Sequence, residues 1–261
     1  MKHSFSIKTS SLCHRYAAIA GSAPILIVMV LVSSASPALA QTGLTGIFGG
    51  GPFYKDAASI TEIETSGFTE AIVWSVEVSS TGDLNFNGEF PLTSNGAYIG
   101  DQTYPDFASN MALLKQGTVK RVTFSIGSSN VGDWQHITAL VQSQGTGTNS
   151  ILYKDFQALK AAIPALDAID FDDENSFNAP TTIAFGVMLG QLGYHVAPDA
   201  FDNASYWTNV VSQINNQLAD TVDGDSPASL RWRKWEQPLR GLEFWHCPGL
   251  ARSLGSSGYS E

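Results

Sequence analysis

The chain is short of cysteine, of charge and of long apolar runs, and each shortage removes a class of protein. Its only cysteines are Cys13 and Cys247, too few for a scaffold built on disulfides. Charged residues make up 15% of 261, and acids outnumber bases by 24 to 14, for a formal charge of −10. A binder of nucleic-acid backbone needs clustered Lys and Arg, so no nucleic-acid partner is expected. The apolar run near the N-terminus, Ile25–Val32, is 8 residues long. A spanning helix needs about 20, so no stable membrane anchor is expected. His136 and His195 have no Cys or His partner at metal-ligand spacing. Both read as structural, and neither a metal nor a cofactor is expected. What remains is 43% apolar. That rules out a disordered tail and fills the core of one large domain or two small ones.

The first forty residues form an address. Lys2, Lys8 and Arg15 give a positive start, Ile25–Val32 an apolar centre, and Ser36-Pro37-Ala38-Leu39-Ala40 a small-residue site. These are the three parts of a secretory signal peptide. Residues 1–40 are therefore expected to be removed after Ala40, leaving a secreted or periplasmic protein.

From residue 41 the hydrophobic period alternates between that of strands and that of helices. Strands are expected at Leu44–Gly49, Ala71–Val78, Val119–Ile126, Leu166–Asp172 and Tyr194–Ala197. Helices are expected at Asp56–Ser66, Asp106–Gln116, Trp134–Gln142, Ile151–Ile163, Thr181–Leu192 and Ser205–Leu218. Ser79–Gly100 reads as turns. Alternation of this kind predicts a parallel α/β sheet. A doubly wound sheet and a (β/α)8 barrel fit it equally well.

One strand carries the chemistry. In Asp167-Ala168-Ile169-Asp170-Phe171-Asp172-Asp173-Glu174, side-chain alternation puts Ile169 and Phe171 on one face. Asp170, Asp172 and Glu174 fall on the other, at the end of a parallel strand where active sites form. Crowded carboxylates raise one another's pKa, and a carboxyl that keeps its proton near neutrality can act as a general acid. Glu174, the outermost, is the candidate acid, with Asp172 and Asp170 behind it. Two plainer readings stand beside this one: a solvated acidic turn, or a calcium loop from Asp172, Asp173, Glu174 and Asn175.

This segment resembles the DGxDxDWE signature of glycoside hydrolase family 18, the chitinases and endo-N-acetylglucosaminidases. Lys120–Ser128 (KRVTFSIGS) resembles the family's preceding strand, which ends in Ser-x-Gly-Gly, and Gly193–Phe201 (GYHVAPDAF) its following one. The resemblance implies a (β/α)8 TIM barrel with the carboxylate segment as fourth strand. It implies that Glu174 protonates the glycosidic oxygen while the substrate's own N-acetyl carbonyl attacks the anomeric carbon. Asp172 would hold the acetamido N–H, and Asp170 would tune Asp172. The implied partner is a polysaccharide or other glycan containing N-acetylglucosamine. Ser125 and Trp74 are the candidate substrate contacts, the tryptophan as a sugar-stacking platform at a strand end. Asp173, Ala168 and Ser128 depart from the family's Trp, Gly and second Gly.

Residues 41–229 contain six Lys and Arg; residues 230–261 contain five, with Trp232, Trp235 and Trp245. Periodicity also stops where a sixth strand is due. One reading is a basic, aromatic tail that binds polymer. The sharper one is that 221–261 is out of frame, since a TGG codon shifted one base forward begins GG and reads as Gly. The expected architecture is then an incomplete (β/α)8 barrel over 41–220, five to six of eight units, with open sheet edges. The expected function is a secreted glycoside hydrolase in the form of a defective fragment, with a non-catalytic, carbohydrate-binding relative as the alternative. Retention of Glu174 favours the first.

Overall fold

The computed structural model describes residues 45–200 and 202–222, and the backbone of one further strand at 243–244. The expected leader (1–40) and the rest of the tail lie outside the described residues. The elements run β1 (Gly46–Gly49), α1 (Pro52–Lys55), α2 (Ala57–Thr65), β2 (Glu70–Val78), β3 (Leu84–Phe86), β4 (Phe90–Pro91), β5 (Thr93–Ser94) and β6 (Ala97–Tyr98). They continue through α3 (Phe107–Leu114), β7 (Arg121–Gly127), α4 (Asp133–Gln144), α5 (Ile151–Ala162), β8 (Leu166–Asp172), α6 (Ala179–Gln191), β9 (His195–Pro198), α7 (Ala204–Gln217) and β10 (Glu243–Phe244).

Local chemistry sets the helix starts. The Asp56 side chain accepts the amides of Ala58 and Ser59 at the head of α2. Ser150 and Asn178 do the same for α5 and α6, each satisfying a donor that the helix cannot. Pro52 opens α1, which the sequence reading missed because Gly49-Gly50-Gly51-Pro52 looks like a break. Proline is tolerated in a first turn, where its missing N–H would have no partner.

The strands β1, β2, β7, β8 and β9 lie side by side, all parallel and in chain order. A doubly wound sheet reverses its order at a switch point. No reversal occurs here, so each crossover returns to the same side and the helices gather on one face, the winding of a (β/α) barrel. Val222 continues the series with a parallel bridge to Val196. The barrel is not closed among the described residues. The β1 edge, expected to be open, is paired: β10 runs antiparallel to it.

Register divides the sheet into a helix-covered face and an inward face. Phe124, Ile126, Ile169 and Phe171, all fully buried, face the helices. Phe171 stacks on Phe185 of α6 at 5.6 Å and meets Trp134 of α4 edge-on at 4.8 Å. Burying each such ring contributes about 1.5–3 kcal/mol. Ser79–Gly100 is more ordered than its turn residues suggest. Its strand β3 pairs antiparallel with β2, and Phe86 and Phe90 pack against Tyr54 and Phe107. The inward face is layered. Trp74, Ser125, Asp170 and Ala197 sit level across β2, β7, β8 and β9, with Gly127 and Asp172 one layer above.

Candidate active site

The fourth parallel strand, β8, delivers two acids to the inward face. Asp170 is 2% exposed, and the Ser125 hydroxyl donates to its Oδ2 at 2.8 Å. Ser125 itself is fully buried. Its hydroxyl, expected as a substrate contact, is here engaged with Asp170. Two residues on, Gly127 has φ +103°, and a Cβ there would lie 2.3 Å from the Asp172 carbonyl and 2.6 Å from Trp134 Nε1. Only glycine lets β7, β8 and that indole close together. Trp74 shares the Asp170 layer, half-buried, its ring 6.4 Å from Phe48. It stands within β2, short of the strand end where it was expected.

Glu174 is not on the strand. β8 stops at Asp172, and Glu174 occupies the bend beyond it. This corrects the picture of three acids alternating along one strand: the loop, not the pleat, brings the third acid to the first two. Asp172 is pushed up to about 8, first by burial, then by the charges of Asp199, Glu174 and Asp173. Burial, then Asp199, also raises Glu174, against a hydrogen bond from the Ser129 amide. Carboxyls this strongly linked titrate as a group.

Asp199 was not foreseen. Its amide donates to the Phe171 carbonyl at 2.9 Å, and the residue is 7% exposed. That bond seats it directly after β9, beside the end of β8. The available signal was an acid immediately after a short strand, the position at which β8 also carries its acids.

Asp173 turns toward the helices. Its carboxylate accepts the amides of Asn175, Ser176 and Phe177 and the Tyr206 hydroxyl. The Asn175 side-chain oxygen accepts the Asn130 amide at 2.7 Å. The oxygens of Asp173 and Asn175 are thus engaged within the protein, and among the described residues no group of three or more His, Cys, Asp or Glu is placed to hold a metal ion. A shallow, narrow depression lies between this loop and the start of α4, lined by Ser128, Val131, Asp133, Trp134, Asp173 and Glu174 among others, with no room inside it for a water molecule. His136 is structural, as read: its Nδ1 lies 2.7 Å from the Val78 carbonyl.

No protein-family model matches the chain, and no curated protein matches it. Solved structures do. A GH18 chitinase from Flavobacterium johnsoniae is 11% identical over 66% of this chain and 52% of its own, with a TM-score of 0.44. A chitinase from Bacteroides thetaiotaomicron is 16% identical over the same shares, with a TM-score of 0.43. A sugar phosphate isomerase/epimerase from Parabacteroides distasonis is 10% identical over 73% of this chain and 66% of its own, with a TM-score of 0.38. The chain spans about half the length of the two chitinases.

Proposed function

We propose that the chain is a glycoside hydrolase acting on glycans that contain N-acetylglucosamine, with Glu174 as general acid. The observation that carries this reading is the crowding of Asp172, Glu174 and Asp199 at the ends of adjacent parallel strands, where burial and mutual repulsion raise both Asp172 and Glu174. A carboxyl raised in this way holds its proton to higher pH, the direction that suits a general acid. Glu174 is only partly buried and sits in the bend beyond β8, where a glycosidic oxygen can approach it.

Asp172, deeper and pushed up to about 8, is neutral in the resting site. Its carbonyl oxygen accepts the N–H of a substrate acetamido group and turns that group's own oxygen toward the anomeric carbon. Glu174 then gives its proton to the leaving oxygen as the acetamido oxygen bonds to carbon, leaving a cyclic oxazolinium. Asp170, fixed by Ser125, stands one layer below Asp172 and orients it. Water opens the ring, and Glu174 takes the proton back, so configuration is retained. The composition of residues 1–40 supports action outside the cytoplasm.

The test is hydrolysis of a chromogenic chitobioside by the full chain and by Glu174→Gln, which keeps the shape and removes the acid. Turnover that falls by about 10²–10⁴-fold in the variant supports the reading. Binding of the sugar without turnover would replace it with a carbohydrate-binding role, and neither binding nor turnover would sink both.

A further inference from the structure

Glu174 lies off the strand, so something other than the sheet must hold it in place. We propose that Asp173, backed by Tyr206, is the positioning residue that fixes Glu174 at the mouth of the site. The functional sense of this rests on the glycosidase reading; the geometry does not.

Asp173 is 2% exposed. Its Oδ1 accepts the amides of Asn175 at 3.3 Å and Ser176 at 2.8 Å, and its Oδ2 accepts the amide of Phe177 at 2.9 Å. The backbone after Glu174 is thus wound around the side chain that precedes it. Tyr206, on α7, adds a hydroxyl at 3.1 Å from Oδ2 and lies 2.8 Å from the Thr182 hydroxyl of α6. Thr182 can donate to the phenol oxygen, which leaves the phenol proton for Asp173. The chain of bonds ties the loop to two helices.

The knot also holds an uncommon backbone state. Phe177 has φ +47°, a conformation that bulky residues rarely adopt. Its amide is bound by Asp173 and its ring packs edge-on against Tyr206 at 5.2 Å. From the far side, Asn130 reaches Asn175 at 2.7 Å. Glu174 therefore has a strand on one side and a fixed knot on the other. Three amides and a hydroxyl all point at Asp173, and only an acceptor-only group satisfies four donors. A carboxylate fits; an asparagine would turn its NH₂ toward donors, and an apolar residue would leave them buried and unmade.

The experiment compares the full chain with Asp173→Asn and Tyr206→Phe. Three quantities are read: hydrogen exchange of the amides of 175–177, the NMR titration midpoint of the Glu174 carboxyl, and kcat and KM on the chromogenic chitobioside. The expected result is faster exchange at Ser176 and Phe177, a displaced Glu174 midpoint, and a kcat lower by about 10–100-fold at unchanged KM, since a displacement of about 1 Å costs that much. Protected amides together with an unmoved midpoint, in folded variants, would overturn the proposal. If Asp173→Asn does not fold, Tyr206→Phe carries the same readouts, because it keeps the ring and removes only the hydroxyl. If the wild-type chain shows no turnover, the glycosidase reading fails, and exchange and titration still decide the positioning role.

Discussion

The inward face of the sheet buries acids at both ends of its strands and treats them in opposite ways. At the N-terminal end, Glu70 of β2 is 6% exposed and meets Arg121 of β7, 7% exposed, at 3.2 Å between Oε1 and Nε. The Thr123 hydroxyl donates to the same oxygen at 2.5 Å. At the C-terminal end, the charges acting on Asp172 are those of Asp199, Glu174 and Asp173, all of its own sign. An acid beside a cation and a hydroxyl is a fixed strut between strands. An acid among acids is kept protonated at a cost to the fold, an arrangement with no structural benefit. The difference separates the residues that hold the sheet together from those available for chemistry, and it follows the general division of labour between the two ends of parallel strands.

Breaking the strut gives the largest effect. Arg121→Met leaves Glu70 buried without its cation, and removing one partner of a buried pair costs about 3–5 kcal/mol. Denaturant unfolding should show that loss, and Glu70→Leu added to Arg121→Met should recover most of it, since replacing both partners is often near neutral. A loss below about 1 kcal/mol in the single variant would mean that the two ends are not different in kind.

The next effect runs the other way. Folded Asp172 keeps its proton to about pH 8, whereas an unfolded aspartate releases it near pH 4. Between those values the folded state binds more protons, so stability falls as pH rises. The favourable contribution is complete below about pH 4 and gone above about pH 8. Asp172→Asn has no proton to lose. Melting temperatures taken across that window should fall less steeply for the variant than for the wild type, so that the variant gains on it as pH rises. Parallel slopes would place Asp172 in a solvated setting.

Most of the scaffold was legible because it rests on period. The stripe Leu152, Phe156, Leu159 marks α5, and β8 spans the Leu166–Asp172 expected of it. The four small strands in Ser79–Gly100 were not legible: two- and three-residue strands bounded by Asn87 and Asn95, both with positive φ, have no period to detect. At the site, Asp170 and Asp172 were readable from pleating alone. The face of Asp173 was readable too, but not its grip on the amides of 175–177, because alternation says nothing of a loop beyond the strand end at Asp172. The bond from Ser125 to Asp170 was not foreseen, since a hydroxyl on the inward face looks the same from the sequence whether it meets a substrate or a neighbouring acid. Asp199 needed the pairing of β8 with β9, a long-range fact.

Asp199→Asn is the smallest change and the finest probe of the contrast. It removes one negative charge and keeps the shape. The Asp199 charge raises Glu174 and Asp172, so its loss lowers both. Burial, the larger cause in each case, remains, and for that reason the effect is modest. A general acid that is easier to ionise loses its proton at a lower pH, so the alkaline limb of the kcat profile moves toward acid while the plateau below it keeps its height. Stability moves with it: the pH at which the Asp172 contribution disappears also falls. A profile that keeps its limb would mean that Asp199 acts on neither residue, and the acid end of the sheet would then consist of β8 and its loop alone.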